Sequence, residues 1–275
     1  MPHKTRTYQS FHTETSKYPD IYAEYRGASV ENAADHHDVV LKDEPFREIK
    51  AAARASNKST AKRNDLHPYV RPLTLSDVES CVTMEAHSFS ENERCTRDKI
   101  IYRLTKSSEL SLGLFATASS GSRLAQDVTA TSALPVDSAR PERKEVLIGM
   151  IVATKCRDRT VDDDAMAYPP DYKEAHPQPS PLGHQEEGRT IALHSLAVLP
   201  RHRGKGMGRT ILTSFVQRMA SAGTADRISL IAHDYLIKFY NKFGFENVGQ
   251  STAQFGGGGW HDFIIECEDV RKGAL

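Results

Sequence analysis

The segment that most constrains this chain runs from Thr190 to Leu212, TIALHSLAVLPRHRGKGMGRTIL. It begins as an apolar strand, stops at Pro200, and restarts as a helix behind a run of alternating glycines. Glycine reaches backbone conformations closed to other residues, and the first N–H groups of a helix have no intrahelical partner. Such a turn is a ready anion site, to which Arg203 and Lys205 add positive charge. A pyrophosphate therefore fits between Val198 and Arg209. The turn is not a Walker A loop, because no Gly-Lys-Ser/Thr follows four variable residues. It also lacks the Gly-x-Gly-x-x-Gly spacing and the later acidic residue of a dinucleotide fingerprint.

The 275 residues suffice for one large domain or two small ones. Thirty-six basic and thirty-six acidic residues cancel, so no global field favours nucleic acid or a membrane surface. No apolar run reaches the roughly 18 residues that a membrane helix needs. The start, MPHKTR, lacks the apolar core of a secretory signal. Cys81, Cys95, Cys156 and Cys267 are widely spaced and form no zinc pattern, so the expectation is a cytoplasmic protein with reduced thiols and no metal.

Residues 1–66 are polar, carry no apolar period and read as a disordered tail, a candidate segment for a protein partner. Within it, Phe46 to Ala55 could form a marginal helix, and Thr5 and Thr7 lie among basic residues that could attract a kinase. Order is expected from Tyr69, with a helix started by Ser76 and Glu79 as a capping box and a second helix from Arg97 to Lys106. Strands are expected near 110–117, 146–154, 190–198, 228–232, 245–249 and 261–267, and helices over 207–220 and 235–243. Two long loops, 119–143 and 157–189, interrupt this pattern; the second carries Asp162 to Asp164 and five prolines.

Arg203-Gly-Lys-Gly-Met-Gly208 matches the Gln/Arg-x-x-Gly-x-Gly/Ala signature of the GNAT acetyltransferases, and Leu196-Ala-Val and Lys238-Phe-Tyr-Asn-Lys-Phe-Gly-Phe245 supply that family's other marks in order. Arg201 to Gly206 also fits the formula, but its distance from the strand end favours Arg203 as the start. Within this superfamily, Glu109-Leu-Ser-Leu-Gly, His194-Ser-Leu-Ala-Val and Phe239-Tyr240 resemble the serotonin (arylalkylamine) N-acetyltransferase family, over roughly residues 67–268. The resemblance implies an α/β (α+β) GNAT fold over 67–270, a mixed central sheet flanked by helices. It implies acetyl-CoA as cosubstrate and a small amine as acceptor. One departure stands out. The vertebrate enzymes carry two histidines two positions apart before Leu-Ala-Val; here the first position is Ala192 and His194 alone remains. That points to a non-vertebrate branch.

Acetyl transfer needs a neutral amine, yet an alkylamine with a pKa near 10.4 arrives protonated. His194 is the candidate base or relay, since histidine titrates near neutrality; the structural alternative is a hydrogen-bonded core histidine. Strict alternation would put Ala192, His194 and Leu196 on one face. The resemblance gives Tyr240 the role of acid toward the departing thiolate, with packing beside Phe239, Phe243 and Phe245 as the alternative. Leu196, Ala197 and Val198 would pair with the pantetheine arm, and a backbone N–H there would face the developing oxyanion. Arg203, Gly204, Lys205, Gly206, Met207, Gly208 and Arg209 would hold the pyrophosphate. For an aryl substrate, Phe89, Leu196, Trp260 and Phe263 are the candidate walls. Two other readings stay open: a polyamine, diamine or protein N-acetyltransferase, for which Asp162 to Asp164 could attract the cation, and a non-catalytic acetyl-CoA-binding module.

Overall fold

The computed structural model describes residues 66–273. The expected tail, its Phe46 to Ala55 helix, and Thr5 and Thr7 lie outside the described residues.

Strand β1 (Tyr69–Pro72) pairs antiparallel with β2 (Leu112–Ala118), and β2 with the long β4 (Lys144–Cys156). Almost every residue of β4 from Val146 onward is buried, which is why it reads as a continuous apolar run rather than an alternating one. A two-residue β3 (Leu134–Pro135) pairs with the start of β4. Beyond β4 come β5 (Thr190–Val198), β6 (Arg227–Ala232), β8 (His261–Glu266) and β7 (Glu246–Gln250), so the main path of the sheet is β1-β2-β4-β5-β6-β8-β7. Every pairing is antiparallel except β5 with β6.

Helices cover both faces. On one, α1 (Val78–Ser88) and α2 (Arg97–Ser107) bury Cys81, Met84, Ile100 and Leu104 against Leu147, Met150 and Val152 of β4. The α1 start differs from the expected Ser76 box. Thr74 and Asp77 form the box instead, the Thr74 N–H donating to the Asp77 carboxylate at 2.8 Å, and Ser76 lies inside a short 3-10 turn. Asp77 prevails because Arg71 already fixes its carboxylate with two contacts, at 2.8 and 2.9 Å. On the other face, the third long helix brings Ile211, Leu212, Phe215, Val216 and Met219 onto the sheet at helical spacing. Taking α3 as the short helix Asp163–Met166, this long helix is α4 (Met207–Ala222). Glycines with positive φ bound it, Gly206 at 82° and Gly223 at 67°. Short helices α5 (Ile237–Asn241) and α6 (Cys267–Arg271) follow β6 and β8.

The long stretches 119–143 and 157–189 carry short elements: the first holds two 3-10 turns and β3, the second holds α3. One sequence expectation needs correction. Strict alternation along β5 fails. The β4–β5 register steps from Val152–Ser195 to Ala153–Leu193, leaving His194 as the extra residue of a bulge. Leu196 therefore packs with the cluster that holds Leu193, while Ala192 belongs to a separate small cluster with Met166. Among the described residues, no helix is long and apolar enough to cross a membrane.

Candidate active site

The site begins with a missing pairing. β5 runs beside β4 along its whole length but meets β6 only from Thr190 to Ala192. From Leu193 onward, one edge of β5 has no neighbouring strand, so backbone groups there, apart from the Val198 carbonyl taken by Arg203, are open to an extended ligand. The space between the parted strands is a small cleft, partly open to solvent. Leu193, His194 and Leu196 of β5 line one side, Leu230, Ile231 and Ala232 of β6 the other, and Tyr240 of α5 closes part of the wall.

At the end of β5, Pro200 to His202 form a 3-10 turn leading into the glycine loop. Gly204 and Gly206 take φ of 72° and 82°, and a Cβ at either would meet nothing within 4 Å. Glycine is required there by the backbone conformation, not by crowding from the protein. Arg203 Nε donates to the Val198 carbonyl at 2.9 Å, tying the loop to the strand end. Thr210 N–H is the first to reach an intrahelical carbonyl, that of Gly206 at 3.0 Å, so the N–H groups of Met207, Gly208 and Arg209 are left for an anion. Arg209 also lies 5.3 Å from the Phe243 ring centre. The register beginning at Arg203 thus sits at the helix start, whereas Arg201 is engaged elsewhere. Arg201 and His202 reach the buried Asp127 at 3.0 and 2.7 Å, so a residue of the first long loop pins the base of the glycine loop.

His194 lines the cleft, half-buried, with both ring nitrogens occupied: Nε2 lies 2.8 Å from Thr154 Oγ1 and Nδ1 3.2 Å from Met166 Sδ. A thioether cannot donate, so the favoured tautomer carries its proton on Nδ1 and accepts from the Thr154 hydroxyl at Nε2. Burial, reinforced by Arg103 and Lys99, holds the His194 pKa well below the usual histidine value, so the ring is neutral at pH 7. Next to it, the Ser195 hydroxyl donates at 2.6 Å to the buried Glu85 carboxyl, whose pKa burial raises. Tyr240 is buried in the apolar core, edge-on to Phe239, and burial raises its pKa. It therefore stays protonated, with no hydrogen bond to another described side chain competing for its hydroxyl.

Of the four expected aryl walls, Phe89, Leu196 and Trp260 line the cleft. Phe263 does not: it is fully buried, with its ring 5.3 Å from that of Tyr240, and it backs the tyrosine instead of facing the cleft. Ala197 likewise turns into the core beside α1, so only its backbone is available. Sequence reasoning missed several wall residues. Glu93, Met166, His233, Tyr235 and Phe255 all reach the cleft, from segments far apart in the chain and outside any motif. Asp162 caps α3 by accepting from Ala165 N–H at 2.8 Å. Asp163 accepts from Gln254 and Phe255 N–H at 3.0 and 2.8 Å, and so clamps the loop that carries Phe255. Asp162 and Asp163 thus hold local backbone, and none of the three aspartates lines the cleft.

Residues 178–266 match the model of the acetyltransferase (GNAT) domain. Serotonin N-acetyltransferase of Mesocricetus auratus is 37% identical over 84 residues, and that of Homo sapiens 32% over 84. Each alignment covers 30% of this chain and 41% of the relative, so the chain matches less than half the length of either. Among solved structures, the loading GNATL domain of CurA from Lyngbya majuscula superposes with a TM-score of 0.51 at 13% identity, over 74% of this chain and 98% of that one. The chain carries the GNAT fold and a GNAT domain, similar over its matched segment to the serotonin N-acetyltransferases.

Proposed function

We propose that the chain is an acetyl-CoA-dependent N-acetyltransferase that acylates a primary arylalkylamine by direct attack on the thioester. The observation that carries this reading is the cleft between the parted strands. It joins the unpaired β5 edge and a protonated tyrosine in one space, and the same strand runs on through Pro200 to the glycine-capped start of α4.

In this reading the pyrophosphate sits on the N–H groups of Met207 to Arg209, with Arg203 and Lys205 adding charge. The pantetheine arm pairs with the free edge of Leu196 to Val198, which brings the thioester beside Tyr240. A backbone N–H of that edge donates to the oxygen that becomes anionic in the tetrahedral intermediate. The amine must lose a proton before its lone pair can attack the carbonyl carbon. His194, neutral at pH 7, takes that proton once the Thr154 hydroxyl turns from its Nε2, and passes it to water. The intermediate then collapses, the C–S bond breaks, Tyr240 gives its proton to the departing sulfur, and the proton still carried by the acylated nitrogen leaves through water and returns Tyr240 to its neutral form. The aromatic wall at the far end supports an aryl substituent on the amine. Four free, buried cysteines fit a cytoplasmic setting.

The test is CoA release from acetyl-CoA with purified protein and serotonin, tryptamine, phenylethylamine, spermidine, putrescine and a lysine peptide. The reading expects turnover with the aryl amines at kcat/KM well above the others. A preference for polyamines or the peptide would overturn the substrate, and no turnover with any amine would overturn the activity.

A further inference from the structure

The amine end of the cleft contains an ordered stack that no sequence motif announces. Tyr235, His233, Trp260 and Phe255 lie in a row with their rings nearly parallel. Successive centroids are 5.7, 4.0 and 6.5 Å apart, and the interplanar angles are 23°, 23° and 29°. The row is fixed at several points. Trp260 Nε1 donates to the Phe255 carbonyl at 2.7 Å, Asp163 holds the Phe255 N–H, and Asn92 donates to the Gly256 carbonyl. Lys99 Nζ lies 4.9 Å from the Phe255 ring centre and closes that end. Tyr235 leaves the other end open, with three quarters of its surface exposed.

One charged group interrupts this apolar wall. Glu93 places Oε1 3.2 Å from His233 Nε2, and both side chains keep about a quarter of their surface accessible. Among the described residues lining the cleft, Glu93 is the sole carboxylate. The turn that carries it is closed by its own N–H to the Ser90 carbonyl at 3.1 Å, and Gly256 packs against its side chain where a Cβ would come within 2.9 Å of Glu93 Cγ. The carboxylate is thus held by two neighbours but not neutralised by an arginine or lysine.

We propose that Glu93, oriented by His233, is the ammonium-recognition site of the cleft. Its ligand is a monoamine in which a single cation is tethered to a flat ring that lies along the Tyr235–Phe255 row. This inference rests on the acetyltransferase reading for the location of the amine end, and it deepens that reading by naming how the cation is selected. One carboxylate beside a stacking wall matches one positive charge beside a π-face. Among the described residues lining the cleft, no second carboxylate is present to meet the further cations of a polyamine.

Trp260 is the chain's only tryptophan, so its fluorescence reports this wall directly. The experiment titrates the full-length protein, saturated with CoA, with phenylethylamine and with 2-phenylethanol, which share a ring but differ in charge. Phenylethylamine is expected to bind about tenfold more tightly than the alcohol, the scale of a hydrogen bond to a charged group. Glu93→Gln, a nearly isosteric change, is expected to abolish that preference while leaving the alcohol's affinity within about twofold. His233→Gln is expected to reduce it partly, and Asp164→Asn, outside the cleft, to leave it intact. Loss of the preference in Glu93→Gln alone supports the assignment. No preference in the wild type, or an equal preference in Glu93→Gln, overturns it. Acetyl transfer measured on the same samples separates the two claims. Charge-selective binding without turnover contradicts only the activity, and turnover without charge selectivity contradicts only the role of Glu93.

Discussion

The two parts of the proposed site are built from different materials. The part proposed to hold acetyl-CoA is made of backbone: a strand edge without a partner, two glycines with positive φ, and three N–H groups at a helix start. The part proposed to hold the amine is made of side chains contributed by four separate segments, around Phe89 and Glu93, Met166, His233 and Tyr235, and Phe255 and Trp260. A backbone site demands particular residues at fixed spacing, whereas a side-chain wall asks only that suitable groups meet in space. The first kind of site tolerates little change in its glycines; the second can be retuned residue by residue.

The largest effect is expected where the two parts meet. Tyr240→Phe keeps the packing with Phe239, Phe245 and Phe263 but removes the hydroxyl. It should lower kcat about 100-fold with little change in either KM, read from initial rates over both substrates. A kcat within about twofold of wild type would move the acid role away from Tyr240.

Next come the two long loops, each pinning one part through an aspartate. Asp127→Ala strips the partner from His202 and Arg201 at the base of the glycine loop. It should raise the acetyl-CoA KM about tenfold and leave the amine KM alone, because a buried polar group loses its bond. Asp163→Ala frees the Gln254 and Phe255 N–H groups and should do the reverse, with a shift in Trp260 emission. Equal changes in both KM values for either variant would mean that the parts are not separable.

The smallest effect is on stability. The folded pKa of His194 lies below its unfolded value of about 6.5, so the native state binds fewer protons between the two. Its neutral burial is without penalty above about pH 6.5, and stability is lost as pH falls from there toward the folded pKa. Glu85 works in the opposite sense, because burial raises its pKa: its contribution is full at low pH and declines as pH rises through that raised value. Thermal melts between pH 7 and 5 should fall less steeply for His194→Gln than for the wild type. Parallel curves would show that another group carries the acid sensitivity.

The same contrast explains what the sequence reveals. The β5–turn–α4 unit is legible because Pro200, Gly204, Gly206 and the 3.6-residue spacing of Ile211, Phe215 and Met219 each leave a local mark. The strands are legible as apolar runs of the right length, but their order in the sheet, with β8 between β6 and β7, leaves no mark in any one run. The bulge at His194 is illegible, since it arises from the register of β5 against β4 and no residue in β5 signals it. Phe263 reads as a cleft aromatic from its place near Trp260, yet on β8 it points into the core while Trp260, just before that strand, reaches the wall. Asp127 and Asp163 look like ordinary loop acids, because their partners lie 75 and 92 positions further along the chain.

The most direct test of this account is one matrix of initial rates, varying acetyl-CoA and phenylethylamine together, for wild type, Gly206→Val and Trp260→Ala. A valine forced to positive φ strains the loop, so Gly206→Val should raise the acetyl-CoA KM about tenfold or more and leave the amine KM within about twofold. Trp260→Ala should raise the amine KM by a similar factor and leave the acetyl-CoA KM unchanged. An exchanged pattern, with Gly206→Val acting on the amine or Trp260→Ala on acetyl-CoA, would contradict the assignment of the two parts.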